Sequence, residues 1–138
     1  MSDLIAKAEA FVTELLNDEL DNKFVYHNLP HTQRVVEKAK ELSALAQLNE
    51  TDHEILLLST WFHDTGYTKT IENHEDTSAA IATKFLQKHK YSQPNIDAVC
   101  SLILATKMAY EPVTLLEKLI RDADCAHIGS KNYSEVSE

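Results

Sequence analysis

The side chains able to do chemistry in this 138-residue chain are few: His31, the adjacent pair His63-Asp64, His74, and the pair Asp122 and Asp124. Each is expected at an end or on the inward face of an amphipathic helix, where an ordinary core would carry an aliphatic residue. A buried carboxylate is costly unless it is paired or bound to a cation, so several His and Asp side chains converging on one cavity argue for a metal ion. Imidazole nitrogen with carboxylate oxygen suits Mn²⁺, Fe²⁺, Co²⁺, Ni²⁺ or Zn²⁺. The set is not all oxygen, which argues against Ca²⁺, and the chain has no clustered cysteines, which argues against structural zinc. Such a centre is expected to be open and catalytic.

The elements that must position these residues follow from periodicity. Leu4, Ile5, Ala8, Phe11, Val12, Leu15 and Leu16 repeat as the stripe of a first helix, and a polar break spans Asn17 to Lys23. A second helix opens near Pro30, whose missing N–H costs nothing in a first turn, and carries Val35, Ala39, Leu42 and Ala46 on the face that holds His31. Thr51 or Asp52 is expected to cap a third helix, with Glu54 in capping-box position and Ile55 through Phe62 apolar nearly all round. That helix belongs in the middle of the domain and delivers His63 and Asp64 just before Thr65-Gly66-Tyr67 stops it. Asn73 is expected to cap a fourth helix with His74, Ser78, Ile81, Ala82 and Phe85 on one face, and Pro94 opens a fifth with Ile96, Val99, Cys100, Ile103 and Leu104. Lys107 falls four residues beyond Ile103. A sixth helix runs from about Leu115 through Asp122-Ala123-Asp124 to a stop at Gly129, and Ser130 to Glu138 read as the start of a further helix that is cut off.

Composition agrees with this all-α reading. Two glycines, three prolines and 7% aromatics leave few turns for a many-stranded fold, and 138 residues suit a single domain spanning 1–138. The net charge of −9 disfavours a grip on long nucleic acids. The longest strongly apolar run, Ile55 to Phe62, is too short to cross a bilayer, and the N-terminus lacks a signal-peptide layout. Cys100 and Cys125 have no CxxC spacing, so a reducing cytoplasm is expected.

With these residues in place, the chain resembles the HD-domain superfamily of metal-dependent phosphohydrolases, whose pattern is a helix-borne His, a consecutive His-Asp at a helix end, and a later Asp. The match reads Tyr26-His27-Asn28-Leu29-Pro30-His31, then Phe62-His63-Asp64-Thr65-Gly66-Tyr67, then Asn73-His74-Glu75, then Asp122-Ala123-Asp124, covering about residues 26–129. The resemblance implies an HD-type helical bundle of six or more helices with His31, His63, Asp64 and Asp124 as metal ligands. Asp122 is the fallback ligand, or a partner that orients a histidine. It implies a divalent transition metal between the second, third and sixth helices, with Mn²⁺ or Fe²⁺ leading and Co²⁺, Ni²⁺, Zn²⁺ or Mg²⁺ as alternatives. Dinuclear members carry two more histidines; His74 stands where the first is expected, and the Ile103 to Lys107 stretch lacks the second, so one metal per chain is expected.

A cation of this kind acidifies water and polarises phosphoryl oxygens, which suits phosphate-ester hydrolysis. From the resemblance, and from its adjacency to His63, Asp64 is the residue to orient or deprotonate that water. His74, with Glu75, is a candidate proton donor to the leaving oxygen, while Lys107, Lys69 and Arg121 are candidates to neutralise phosphate oxygens. His27 is expected at the pocket mouth and His127 near the site. Taken singly, His31 reads as a core histidine bonded to a carbonyl, and Lys107 as a snorkelling lysine at a helix end; the combination is what points to a site.

The expected substrate is a phosphate mono- or diester of a small, nucleotide-like molecule, and no membrane partner is expected. Two other readings stay open: a catalytically silent metal- or nucleotide-binding regulatory domain, and a di-iron oxygenase, which the missing histidine disfavours. The apolar positions of the first helix leave a homodimer open, and the C-terminal stretch leaves an attached module open.

Overall fold

The computed structural model describes residues 3–19, 29–70, 72–107 and 110–132, and among them there are six α-helices, one 3₁₀ turn and no strand. In chain order they are α1 (Asp3–Glu19), α2 (Leu29–Ala46), α3 (Glu50–Phe62), the 3₁₀ turn (Thr65–Thr68), α4 (His74–Lys88), α5 (Gln93–Leu104) and α6 (Leu115–Asn132). Tyr26, His27 and Asn28 lie outside the described residues, as does the side chain of His127.

The axis of the fold is α3. Every residue from Ile55 to Phe62 is buried, as an all-round apolar helix requires, and α1, α2, α4, α5 and α6 all pack on it. Its two polar interior residues are satisfied within the helix: the Ser59 hydroxyl donates to the Ile55 carbonyl and the Thr60 hydroxyl to the Leu56 carbonyl, both at 2.7 Å. The expected cap is corrected. Asn49 rather than Thr51 or Asp52 opens α3, its side-chain oxygen accepting the Asp52 N–H at 2.7 Å, and Glu54 instead accepts the Tyr91 hydroxyl at 2.8 Å.

The other helices follow their stripes closely. Val35, Val36 and Ala39 bury one face of α2, Ala82, Phe85 and Leu86 that of α4, and Ile96, Val99, Leu102 and Ile103 that of α5. Asn73 does precede α4, but in the left-handed region (φ 55°) and with no side-chain cap; its carbonyl accepts the Asp76 N–H at 3.0 Å. Ahead of α6, the Glu117 carboxylate accepts the Val113 and Thr114 backbone N–H groups and the Tyr110 hydroxyl, which together hold it below the usual carboxylate range. Two expectations near the C-terminus change. The helix runs through Gly129 to Asn132, so the separate helix expected from Ser130 is, as far as Asn132, the continuation of α6.

The link between α3 and α4 fixes the geometry of the site. The Gly66 N–H donates to Ser78 Oγ at 2.7 Å and the Ser78 hydroxyl donates to the His63 carbonyl at 2.9 Å, so one buried side chain ties α4 to the turn after α3. Approach is close enough that a Cβ on Gly66 would stand 2.0 Å from the His74 carbonyl oxygen, which is why only glycine fits there.

Candidate metal centre

Three helices deliver the site. His31 comes from the first turn of α2, His63 and Asp64 from the end of α3, and Asp124 from the third turn of α6. A ligand atom from each of His31, His63 and Asp124 lies within 4.8 Å of the others, the one such group of three among the described residues. Asp64 stands against this group: its Oδ2 is 3.4 Å from His31 Nε2 and 3.5 Å from His63 Nε2. On the other side, Asp124 Oδ1 is 3.7 Å from His31 Nε2 and 3.3 Å from His63 Nε2. Two imidazole nitrogens and two carboxylate oxygens therefore face one small volume.

Orientation of His63 decides what that volume suits. At the end of α3 the Thr60 carbonyl accepts the His63 backbone N–H only at a long 3.4 Å, and His63 Nδ1 also donates to it at 2.6 Å, which puts the proton on Nδ1. Nε2 is left fully buried with no hydrogen bond of acceptable geometry, aimed between two carboxylates. A neutral imidazole held by its Nδ1–H with its Nε2 lone pair facing carboxylates is the arrangement a metal-ligating histidine takes. The donor set fits a divalent transition metal.

Without a cation, protons must balance the same charges. Burial opposes charge on His63, but Asp64 and Asp124 outweigh it and the imidazole is pushed up to about 10. His31 is raised for the same reasons, burial working against it and Asp124 and Asp64 prevailing. Burial would raise the Asp124 carboxyl, yet His63 and His31 hold it well below the usual range. Protons and a metal ion are competitors for one electrostatic hole.

Asp64 has a second oxygen, and it points elsewhere. Oδ1 lies 3.5 Å from His74 Nε2, whose other carboxylate neighbour is Glu75 Oε2 at 3.6 Å. Tyr67 stacks on the His74 ring with centroids 3.9 Å apart and fixes its plane. Burial, then Asp64, Glu75 and Asp124, push the Tyr67 phenol up to about 12, so it packs there as a neutral ring. Asp64 is almost fully buried, whereas the Asp124 side chain is 29% exposed, so the group opens to solvent on the α6 side. Asp122 faces solvent.

A family model for the HD domain matches residues 28–128, nearly three-quarters of the chain. The chain belongs to the HD domain family. No curated protein and no solved structure matches it. HD domains bind divalent metals and are typical of metal-dependent hydrolases, and this HD domain brings His31, His63 and Asp124 together where a metal could sit. No helix among the described residues is long and apolar enough to cross a membrane.

The remaining sequence-derived candidates are spread more widely. Lys107 lies beyond the end of α5, and its Nζ pairs with Asp76 Oδ1 at 3.2 Å, two residues along α4 from His74. Arg121 is engaged elsewhere: its Nη1 donates to the Tyr110 carbonyl at 2.7 Å and reaches those of Ala105 and Lys107 at 3.3 and 3.4 Å, tying α6 to the end of α5. Lys69 lies at a groove between α1 and α4. Sequence reasoning missed three contributors: the Thr60 carbonyl that sets the His63 tautomer, Tyr67 beneath His74, and Ser78 as the clamp. Only the glycine in His-Asp-Thr-Gly-Tyr hinted that a backbone must come close.

Proposed function

We infer that this HD domain hydrolyses a phosphate mono- or diester of a small, nucleotide-like molecule, using one divalent metal held by His31, His63, Asp64 and Asp124. The observation that carries the reading is the buried His63 Nε2, without a hydrogen bond and facing two carboxylates, Asp64 just past the end of α3 and Asp124 on α6. Mn²⁺ or Fe²⁺ suits this mixed nitrogen and oxygen set. A divalent cation bound there would supply Lewis acidity toward water and toward a phosphoryl oxygen.

The chain's own residues divide the remaining work. Asp64 Oδ2 faces the two histidines and Oδ1 faces His74, so this carboxylate both closes the ligand set and orients water on the His74 side. His74, held flat by Tyr67 and flanked by Glu75, delivers a proton to the leaving oxygen. Lys107, paired with Asp76 two residues along α4 from His74, balances phosphate charge on exchanging Asp76 for substrate. The surplus of acidic residues over the whole chain, 22 against 13 basic, favours a small substrate over a long polyanion.

The test is phosphate release from a panel of nucleotides and simple mono- and diesters, with protein loaded with Mn²⁺ or Fe²⁺. Turnover that needs the metal and disappears in Asp64→Ala supports the reading. Stabilisation of metal-loaded protein by a nucleotide with no product from any ester would replace it with a regulatory domain that binds without turnover.

A further inference from the structure

The step from His63 to Asp64 is held by a side chain that is no part of the ligand set. Ser78 is fully buried and lies one helical turn beyond His74 on α4, so the two meet the end of α3 from the same face of that helix. Its hydroxyl accepts the Gly66 N–H at 2.7 Å and donates to the His63 carbonyl at 2.9 Å. In chain order those two groups stand on either side of Asp64, and a single hydroxyl thus closes the short span that carries the carboxylate.

Other bonds shape the span from within. Asp64 leaves the helix at φ −108° and ψ 5°, its carbonyl accepts the Tyr67 N–H at 3.1 Å, and the Thr65 hydroxyl donates back to the Phe62 carbonyl at 2.7 Å. The Ser78 pair instead crosses from the turn to α4. Gly66 permits that contact, since a Cβ there would meet the His74 carbonyl oxygen. Asp64 Oδ1 and His74 Nε2 belong one to each side of this joint and lie 3.5 Å apart. Two buried hydrogen bonds on one oxygen fix its register more narrowly than apolar packing does.

We propose that Ser78 is a positioning residue for proton transfer: its hydroxyl holds Asp64 and His74 at their working separation. The proposal rests on the hydrolase reading with His74 as proton donor. Alanine at 78 deprives the buried Gly66 N–H and His63 carbonyl of this partner, and the joint relaxes. Misplacement of reacting groups by about 1 Å lowers a rate on the order of 10²-fold.

The test compares Mn²⁺-loaded wild type and Ser78→Ala on phenyl and p-nitrophenyl phosphates, as mono- and diesters. Phenolate needs a proton to leave, whereas p-nitrophenolate leaves without one. Expected is a kcat about tenfold or more lower for the phenyl ester and within about twofold of wild type for the p-nitrophenyl ester, with metal content unchanged. A merely structural serine would not separate the two leaving groups. In metal-free protein the imidazole proton resonances of His74 should shift on substitution, while those of His53, near the opposite end of α3, hold. If the alanine protein does not fold, Ser78→Cys, which lengthens and weakens both bonds, takes its place with the same expectation. Equal losses on the two esters, an unchanged kcat on both, or unmoved His74 resonances overturn the proposal and leave the hydrolase reading standing. Absence of turnover of any ester by metal-loaded wild type overturns the hydrolase reading and the proposal with it.

Discussion

His63 Nδ1 lies 2.6 Å from the Thr60 carbonyl oxygen, and this one contact determines which way the buried imidazole can act. The carbonyl is available because α3 ends at Phe62, so the termination of the helix and the tautomer of its histidine have one cause. Nε2 is thereby committed to the space between Asp64 and Asp124.

Metal-free protein should lose stability as the pH rises. His63 is raised from its ordinary value near 6.5 up to about 10, so its contribution is complete below about 6.5 and fades as pH climbs toward 10. Asp124 is shifted down, so its contribution is present above about 4 and fades in acid. Melting temperatures of chelated protein should fall between about pH 6.5 and 10, and His63→Gln should flatten that slope. Metal-loaded protein should show the opposite trend near neutrality, because ligation requires unprotonated imidazoles.

Ser78→Ala should cost about 1–3 kcal/mol, because it strands the buried Gly66 N–H and His63 carbonyl together. Denaturant unfolding measures it. Gly66→Ala should cost about 3 kcal/mol or more, since its Cβ would meet backbone of α4 that no rotamer change can move.

His74→Ala should lower kcat for an active ester by about 10² or more while metal content stays at the wild-type level. The ring lies against Asp64 Oδ1, on the side away from the imidazole pair, so proton transfer rather than ligation is what it should lose. Steady-state kinetics beside elemental analysis separate the two.

Lys107→Ala should leave stability within about 1 kcal/mol, as both partners of its ion pair with Asp76 are more than a third exposed. If the ammonium meets substrate phosphate, KM rises and kcat holds. An unchanged KM would reduce Lys107 to a surface pair.

The helices were legible in the sequence because their apolar stripes have one period and few glycines interrupt them. Placement of His31 followed from counting back along α2, and that of His63 and Asp64 from the apolar run that α3 buries. What escaped was set by tertiary partners. Asn49, not Thr51, caps α3, and Glu54, the other half of the expected capping box, accepts the hydroxyl of Tyr91 thirty-seven residues away. Gly129 fails to stop α6, which runs on to Asn132. Arg121 looked like a phosphate ligand, and only the fold reveals the carbonyls at the end of α5 that it binds. The choice between Asp122 and Asp124 is a choice of helix face: Asp122 is turned to water and Asp124 to the histidines.

The most direct measurement is transition-metal content per chain by elemental analysis, on protein purified without chelator and soaked with Mn²⁺ or Fe²⁺. Asp124→Ala, His63→Ala and Asp122→Ala are measured beside it. Wild type and Asp122→Ala should each hold about one metal per chain, and the other two variants should hold almost none. Absence of metal from the wild type after soaking, or equal content in all four proteins, would contradict a centre built from His31, His63, Asp64 and Asp124.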